Sequence, residues 1–409
     1  MKNNFNTYCD IIIFTLSRWD SPISSPSLAL AKEFAKRNRV FYIDHPYSLK
    51  DFVKLRKTPE LQQRKDALLW GKNLYQKPVG LPENITIITP KITIPVNFLP
   101  KGVLYRSLSQ WNDNLIFDLI RKIIADHDIK EYVFINFFDP YFIRKFPDDI
   151  VPLRKVYQSM DDISQVSYSN RHGTRLEEEI VRTYDFTLTT SQELTRLKSA
   201  FSPNVHFHPN AVDIEIFRKA SSITLEKPKE LQGIDKKIIG YTGSIEYRTD
   251  FELLKKIADF HQDKILFFVG PIGTDEHIKT GLDKMPNVIF AGPRKITELP
   301  AFLQYFDCVI IPFRLTTLTK SIYPLKINEY LAAGKPVIAT HFSEDIYSFK
   351  EVAYIAENHE EFLGLIDRAI AENNDERRSL RLQTATQNTW EARVEVFWKI
   401  ISQTPLPMD

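Results

Sequence analysis

The sequence predicts an α/β chain made of two doubly wound domains, and three observations lead there. Apolar runs of strand length recur along the 409 residues. Segments of helix length and helical periodicity separate them. The series breaks once, in the polar stretch 220–235 (ASSITLEKPKELQGID), and then restarts. Strands alternating with helices form β-α-β units, and these build parallel sheets.

The first series opens with 10–14 (DIIIF), an amphipathic stretch at 26–37 and 40–43 (VFYI). It continues through 85–88, a helical pattern at 112–126, 132–136 (YVFIN), 155–158, 185–189 and 205–207. The second series runs 237–241, 265–269, 288–290, 308–311, 337–339 and 352–355, with helical patterns at 297–305 and 360–371. An amphipathic segment, 389–402 (TWEARVEVFWKIIS), follows. The expected organisation is a first domain at 1–218, a linker at 219–236, a second domain at 237–386 and a C-terminal helix at 387–409 that returns to the first domain. A ligand is expected in the central cleft that the two domains face, at the C-terminal ends of the strands.

Composition narrows the function classes. Apolar residues make up 43% and charged residues 26%, ordinary for a globular protein. A net charge of +2 gives no argument for a nucleic-acid partner. Two cysteines far apart in sequence predict no disulfide framework and a reduced, cytoplasmic setting. No apolar run reaches the length of a membrane span, and no secretory signal pattern is read. Charge is uneven, however. Between 47 and 78, eight Lys or Arg face three Asp or Glu, interleaved with Phe52, Val53, Leu55, Leu68, Leu69, Trp70 and Leu74. This is either a solvated excursion or a peripheral contact with anionic lipid headgroups on the inner face of a membrane.

The most informative stretch is 323–340, YPLKINEYLAAGKPVIAT. Pro324 suits the first turn of a helix, where its missing N–H costs nothing. Gly334 suits the position just past a helix end. The spacing therefore predicts a helix of about ten residues with Lys326 and Glu329 on one face. A helix N-terminus presents unpaired N–H groups and partial positive charge, which suit a phosphate. Lys326 adds a full charge there, and Glu329 can accept from two neighbouring sugar hydroxyls. The alternative is an ion pair on a helix surface. In 239–250 (IGYTGSIEYRTD), a strand runs into Gly243, which permits close backbone approach, and Arg248 either forks onto a diphosphate or stands exposed on a surface turn. The loop 292–299 (GPRKITEL) follows another strand.

Residues 321–340 resemble the nucleotide-binding helix of family 4 glycosyltransferases, whose two Rossmann-like domains form the GT-B fold. Pro324, Lys326, Glu329, Tyr330, Leu331 and Ala332 match the form seen in teichuronic-acid-type members. The family pattern has two glutamates; Glu329 matches the second, and Ser321 stands where the first is expected. The resemblance implies a retaining transfer without an essential metal and with no cofactor. The donor would be a nucleotide-diphosphate sugar and the acceptor a glycan or a lipid-linked precursor of a cell-envelope polysaccharide. It assigns Gly243, Arg248, Arg294, Lys295, Ile296, Ser321, Tyr323, Pro324, Lys326 and Glu329 to the nucleotide sugar. Lys326 and Arg248 would stabilise the leaving diphosphate.

The first half offers weaker candidates. Asp161 and Asp162 follow a strand, and either orient an acceptor hydroxyl or act as a base, or cap the next segment. Ser24 or Ser25 could serve an anion at a helix start; Arg18, Trp19 and Asp20 read first as a turn anchored by Trp19, and otherwise could face the cleft. His172 reads as a packing residue first. The segment 208–212 (HPNAV), with Asp213 and Phe217, resembles the family's Pro-Asn-Gly-Val-Asp segment, with Ala211 in place of glycine. No His or Cys cluster has zinc spacing, and the Asp126-His127-Asp128 triplet falls at a predicted helix end, a poor place for a metal. No Walker loop or Gly-x-Gly-x-x-Gly occurs. Two other readings remain open: a non-hydrolysing nucleotide-sugar epimerase and a non-catalytic nucleotide-sugar-binding protein.

Overall fold

The computed structural model describes residues 5–21, 25–165 and 171–403. Contacts divide the chain into two compact units. Unit 1 takes the described parts of Met1–Thr190, Leu194–His208 and Val394–Asp409; unit 2 takes Ser191–Glu193 and Pro209–Arg393.

Unit 1 carries strands β1 (Asp10–Thr15), β2 (Val40–Ile43), β3 (Tyr75–Gln76), β4 (Ile85–Ile88), β5 (Tyr132–Phe137), β6 (Arg154–Ser159), β7 (Phe186–Thr189) and β8 (Val205–Phe207). They form one sheet in the order β3-β4-β2-β1-β5-β6-β7-β8. All pairings are parallel except β3 with β4. Every residue of β1 is buried, because helices cover both faces of a parallel sheet. The helix Val103–Asp126 sets Ile116, Phe117, Ile120 and Ile123 into the core at helical spacing. From Val394 onward the helix Trp390–Ser402 also belongs to unit 1. Its Phe397 meets Phe34 edge-on at 4.9 Å, and Arg154 Nε donates to Ile401 O at 3.2 Å. The strand β3 has no counterpart in the sequence reading, since two residues on an antiparallel edge leave no periodic trace.

Unit 2 carries β9 (Lys237–Thr242), β10 (Lys264–Val269), β11 (Val288–Phe290), β12 (Cys308–Ile311), β13 (Val337–Thr340) and β14 (Tyr354–Ala356). The sheet is parallel throughout, in the order β11-β10-β9-β12-β13-β14. Strand order reverses between β9 and β12, which is where such sheets open a crevice at their C-terminal edge. Within β9, a Cβ on Gly240 would lie 1.9 Å from the Phe306 ring, so a glycine is what lets that ring press on the strand. The final strand begins at Tyr354 rather than 352, because Val352 N and Ala353 N both bond to Phe349 O in a turn.

The stretch read as a linker is stitched into unit 2. Gln304 Nε2 donates to Ala220 O and Ile223 O, Leu225 N donates to Gln304 Oε1, and Tyr305 Oη donates to Leu225 O. On the 220–225 side these bonds all use backbone groups of Ala220, Ile223 and Leu225, so side chains of the helix Leu299–Tyr305 hold the segment whatever its polar composition.

Candidate functional site

Strand β9 ends at Thr242, and Gly243 follows with φ +109, a conformation that side chains rarely adopt. Its N–H donates to Val269 O at 2.8 Å. A Cβ placed on Gly243 would lie 2.7 Å from Lys326 Cε and 2.8 Å from Nζ. The glycine thus has two tasks: it turns the chain and leaves room for a lysine. Next to it, a Cβ on Gly270 would lie 2.1 Å from Gly243 O. The backbones after β9 and β10 therefore touch, and Gly270 N donates on to Gly292 O after β11. Sequence reading passed over Gly270; a glycine directly after a buried run was its signal.

The helix Leu325–Ala332 has eight residues, and Pro324 is its N-cap with extended backbone, not a member of its first turn. Proline fits there because φ −78 is what its ring imposes. Gly334 takes φ +71 past the C-terminus, where Gly334 N donates to Leu331 O and Lys335 N to Tyr330 O. Ile327, Tyr330, Leu331 and Ala332 are buried. Tyr330 is more than core: its Oη accepts from Thr242 N at 2.9 Å and donates to Thr242 O at 3.3 Å. One phenol thereby pins the helix to the end of β9. At the helix start, Asn210 Nδ2 donates to Tyr323 O, and Asn328 Nδ2 donates to Asn210 O and to Tyr323 Oη. The sequence reading singled out the segment holding Asn210, but not its buried partner Asn328.

These braces present two ionisable groups. Lys326 Nζ stands 5.2 Å from the Tyr241 ring centroid and 5.9 Å from that of Phe313. Among the described residues it has no ion pair or hydrogen bond. Glu329, one turn on and half-buried, likewise receives no hydrogen bond from any described residue. Desolvation lifts its carboxyl from 4.5 to about 7, opposed by the charge on Lys326. Arg248 is different. Its Nη2 is paired with Glu246 Oε2 at 2.8 Å, and its guanidinium lies 5.9 Å from the Phe313 ring. The loop that carries it is held to β12's continuation through Asp250 N to Pro312 O and Arg314 N to Arg248 O. Ser321 is fully buried, and its Oγ has no partner among the described residues.

This is a braced helix start whose lysine and carboxyl have no partner among the described residues, at the switch point of a parallel sheet, and it can receive a ligand with anionic and hydroxyl parts. Residues 236–372 match the family model described as glycosyl transferases group 1. These residues are thus similar to a group 1 glycosyl transferase domain. A Bacillus subtilis (strain 168) protein named as teichuronic acid biosynthesis glycosyltransferase TuaH is 29% identical over 206 residues, covering 49% of this chain and 51% of that protein. The match thus spans about half the length of that relative. Solved structures show the same fold across both units. Trehalose-6-phosphate from E. coli bound with UDP-2-fluoro glucose superposes with a TM-score of 0.66 at 11% identity, covering 97% of this chain and 100% of that one. Sucrose-phosphate synthase from Thermosynechococcus elongatus gives 0.63 at 14%, covering 96% and 98%. Anabaena HepE in complex with UDP gives 0.60 at 14%, covering 97% and 100%. The fold class is GT-B.

Elsewhere in unit 2, Arg294 is ion-paired with Glu230 and lies over the Phe302 ring. Lys295 is exposed, its N–H bonded to Glu298 Oε2, and Ile296 starts a 3₁₀ turn. This loop is tied to the strand ends through the bond from Gly270 N to Gly292 O.

In unit 1, Asp162 is buried and caps the turn Ile163–Gln165, accepting from Ser164 N at 3.1 Å and Ser164 Oγ at 2.7 Å. That geometry fits the capping alternative; Asp161 is half-buried beside it. His172 stacks on Tyr105 at 3.9 Å and bonds Leu99 O through Nε2, a packing residue. Ser24 lies outside the described residues, and Ser25 Oγ bonds Ser27 Oγ instead of a backbone N–H. Asp126 pairs with Lys122 and Tyr75, and Asp128 with Lys130, so the triplet is engaged on the surface. Asp213 caps the helix Ile214–Phe217.

Arg18, Trp19 and Asp20, singled out in the sequence, belong to a charged cluster at the C-terminal ends of β1, β2 and β5 whose other members the sequence did not point to. Arg18 Nε donates to His45 O and stacks 3.5 Å from the Tyr47 ring centroid. Trp19 N donates to Asp44 Oδ1 at 2.9 Å. Buried Arg64 meets Asp20 at 2.9 Å and Asp44 at 3.5 Å. His45 Nδ1 lies 2.9 Å from buried Asp139. Burial pushes the Asp44 carboxyl up to about 7, against the pull of Trp19 N–H and Arg64. Bonded partners here lie up to 94 positions apart in sequence, as His45 and Asp139 do, so no local pattern announces the cluster.

Proposed function

We propose that the chain transfers a sugar from a nucleotide-diphosphate donor to a glycan or lipid-linked acceptor in polysaccharide biosynthesis. Configuration is retained and no metal is essential, as the family resemblance implies. The protein works in the cytoplasm, with 47–78 touching the inner face of the membrane. One observation carries the reading: one turn apart, Lys326 and Glu329 have no partner among the described residues, and Lys326 lies beside the bare Cα of Gly243. Lys326 and the helix start receive the diphosphate and offset charge on the leaving group. Glu329 accepts from the ribose hydroxyls. Arg248 reaches the diphosphate only by giving up Glu246, so Lys326 is the first cation the ligand meets.

The reading is tested by measuring nucleotide-sugar turnover and nucleotide affinity for Lys326→Ala and Glu329→Ala, with thermal unfolding as the control for folding. Turnover falls by roughly 10²–10³-fold for Lys326→Ala at an unchanged melting temperature; wild-type turnover in both variants overturns the assignment. The family match favours transfer over the epimerase and the non-catalytic reading. Donor incubated alone and followed by NMR separates the epimerase, which interconverts sugars without acceptor.

A further inference from the structure

The helices between β2 and β4 have two apolar faces and only one of them is covered. Leu49–Leu55, Pro59–Gln63 and Lys65–Trp70 pack around a small core of Tyr47, Leu61 and Leu68, with Phe52, Leu55 and Ile92 against it. Leu49 and Val53, one turn apart, are each 54% exposed, and Trp70 is 69% exposed. No residue of Leu49–Leu55 is fully buried, yet the helix is firmly started by a Ser48–Asp51 capping box. The segment that supports it continues the pattern. Leu49 N donates to Thr93 O and Ile92 N to Leu68 O, and shortly beyond come Phe98, Val103 and Leu104, all more than 60% exposed. Exposed apolar side chains are normally scattered singly; nine of the twelve large ones in unit 1 fall within 49–111 among the described residues.

Charge says what covers them. Lys50, Lys54, Arg56, Lys57, Lys65, Lys72, Lys77, Lys91, Lys101 and Arg106 are all exposed, and none has an ion-pair partner among the described residues. The one other cation in the stretch, Arg64, is buried and paired. Unpaired cations around exposed Leu, Val and Trp complement an anionic bilayer surface, where apolar side chains enter the headgroup boundary and ammonium groups meet phosphates. We propose that 49–72, supported by 91–106, docks this protein onto an anionic lipid surface, with Leu49, Val53 and Trp70 inserted. The proposal deepens the lipid-linked acceptor reading, but its test does not depend on transfer.

Full-length protein is sedimented with vesicles of phosphatidylcholine alone and of phosphatidylcholine mixed with phosphatidylglycerol. Binding to the mixed vesicles is expected, weakening at high salt. The triple variant K50E/K54E/K57E and the triple variant L49S/V53S/W70S each lose binding by about tenfold or more, with unfolding curves unchanged. Brominated lipids quench wild-type tryptophan fluorescence more than that of Trp70→Phe. Equal binding to both vesicle types, or wild-type binding by the two triple variants, overturns the proposal. So does a concentration-dependent dimer, seen by analytical ultracentrifugation, that L49S/V53S/W70S abolishes, since a second copy would then be the occupant. Turnover with a soluble acceptor stays at the wild-type level in K50E/K54E/K57E, so loss of docking and loss of transfer are read separately.

Discussion

Each unit gathers charge where its first strand meets the reversal in strand order, and the two clusters are finished differently. At the end of β1, the charges pair with one another: Arg64 is buried with Asp20 and Asp44, Trp19 N–H is on Asp44, and His45 is on Asp139, though Arg64 Nε and Asp44 Oδ2 have no hydrogen-bond partner among the described residues. At the end of β9, Lys326 and Glu329 are positioned by Gly243, Tyr330 and Asn328 and have no partner among the described residues. Buried charge with partners holds a loop in shape, and breaking it costs stability. Charge placed without partners is held in readiness for a ligand, and removing it costs binding. The same desolvation lifts Asp44 and Glu329 to about 7, so a carboxyl with a raised pKa does not by itself mark a site.

The largest separation is expected between Lys326→Ala and Arg64→Met. The lysine variant loses turnover by the two to three orders of magnitude given above and keeps its unfolding curve. The arginine variant loses about 3 kcal/mol of stability in urea titration, because Asp44 stays buried without its cation. If Arg64→Met unfolds at the wild-type midpoint, the structural role assigned to the unit 1 cluster is wrong.

Gly243→Ala sharpens the contrast. The methyl group meets Lys326 and the backbone resists φ +109, which costs about 1–2 kcal/mol. Nucleotide affinity should drop at least in proportion, since the lysine must move. An affinity equal to wild type, measured by calorimetry, would place the diphosphate away from Lys326.

Titration gives a smaller but more specific difference. Glu329 binds its proton more tightly in the folded chain (about 7) than at its ordinary 4.5. Its contribution to stability is therefore full below about 4.5 and is lost as pH rises through about 7. Glu329→Gln removes this slope, so its stability gain over wild type grows between pH 5 and 8. Adding a nucleoside diphosphate shifts the Glu329 carboxyl resonance in ¹³C NMR and leaves that of Asp44 in place. Movement of both to the same extent would erase the distinction between the clusters.

The smallest effect belongs to Asp162→Ala. Loss of the turn cap costs about 1 kcal/mol, and turnover stays within twofold. A collapse of turnover would restore this residue as an acid or base.

The order of strands and helices was legible because buried parallel strands must be apolar and their helices amphipathic, whatever the tertiary detail. Lys326, Glu329 and Gly243 were legible for a related reason. A helix start, a charge pair on one turn and a glycine after a strand are local patterns with local causes. Capping was harder: the sequence allowed Asp162 either role, and only the bonds from Ser164 N–H and Oγ assign it to the turn.

What the sequence by itself determined is thus the alternation, the two sheets and one short helix with its lysine and glutamate. What only the tertiary structure decided is which charges find partners. Arg248 and Arg294 read as ligand groups but turn to Glu246 and Glu230. Asp44, Arg64 and Asp139 showed no pattern, yet converge at one sheet edge. Among the apolar residues of 47–78, Leu68 and Leu74 go inward while Val53, Leu69 and Trp70 stay out. Partnering is a long-range fact: it depends on which strand ends and loops folding brings within about 4 Å, and the chain order carries no record of that distance.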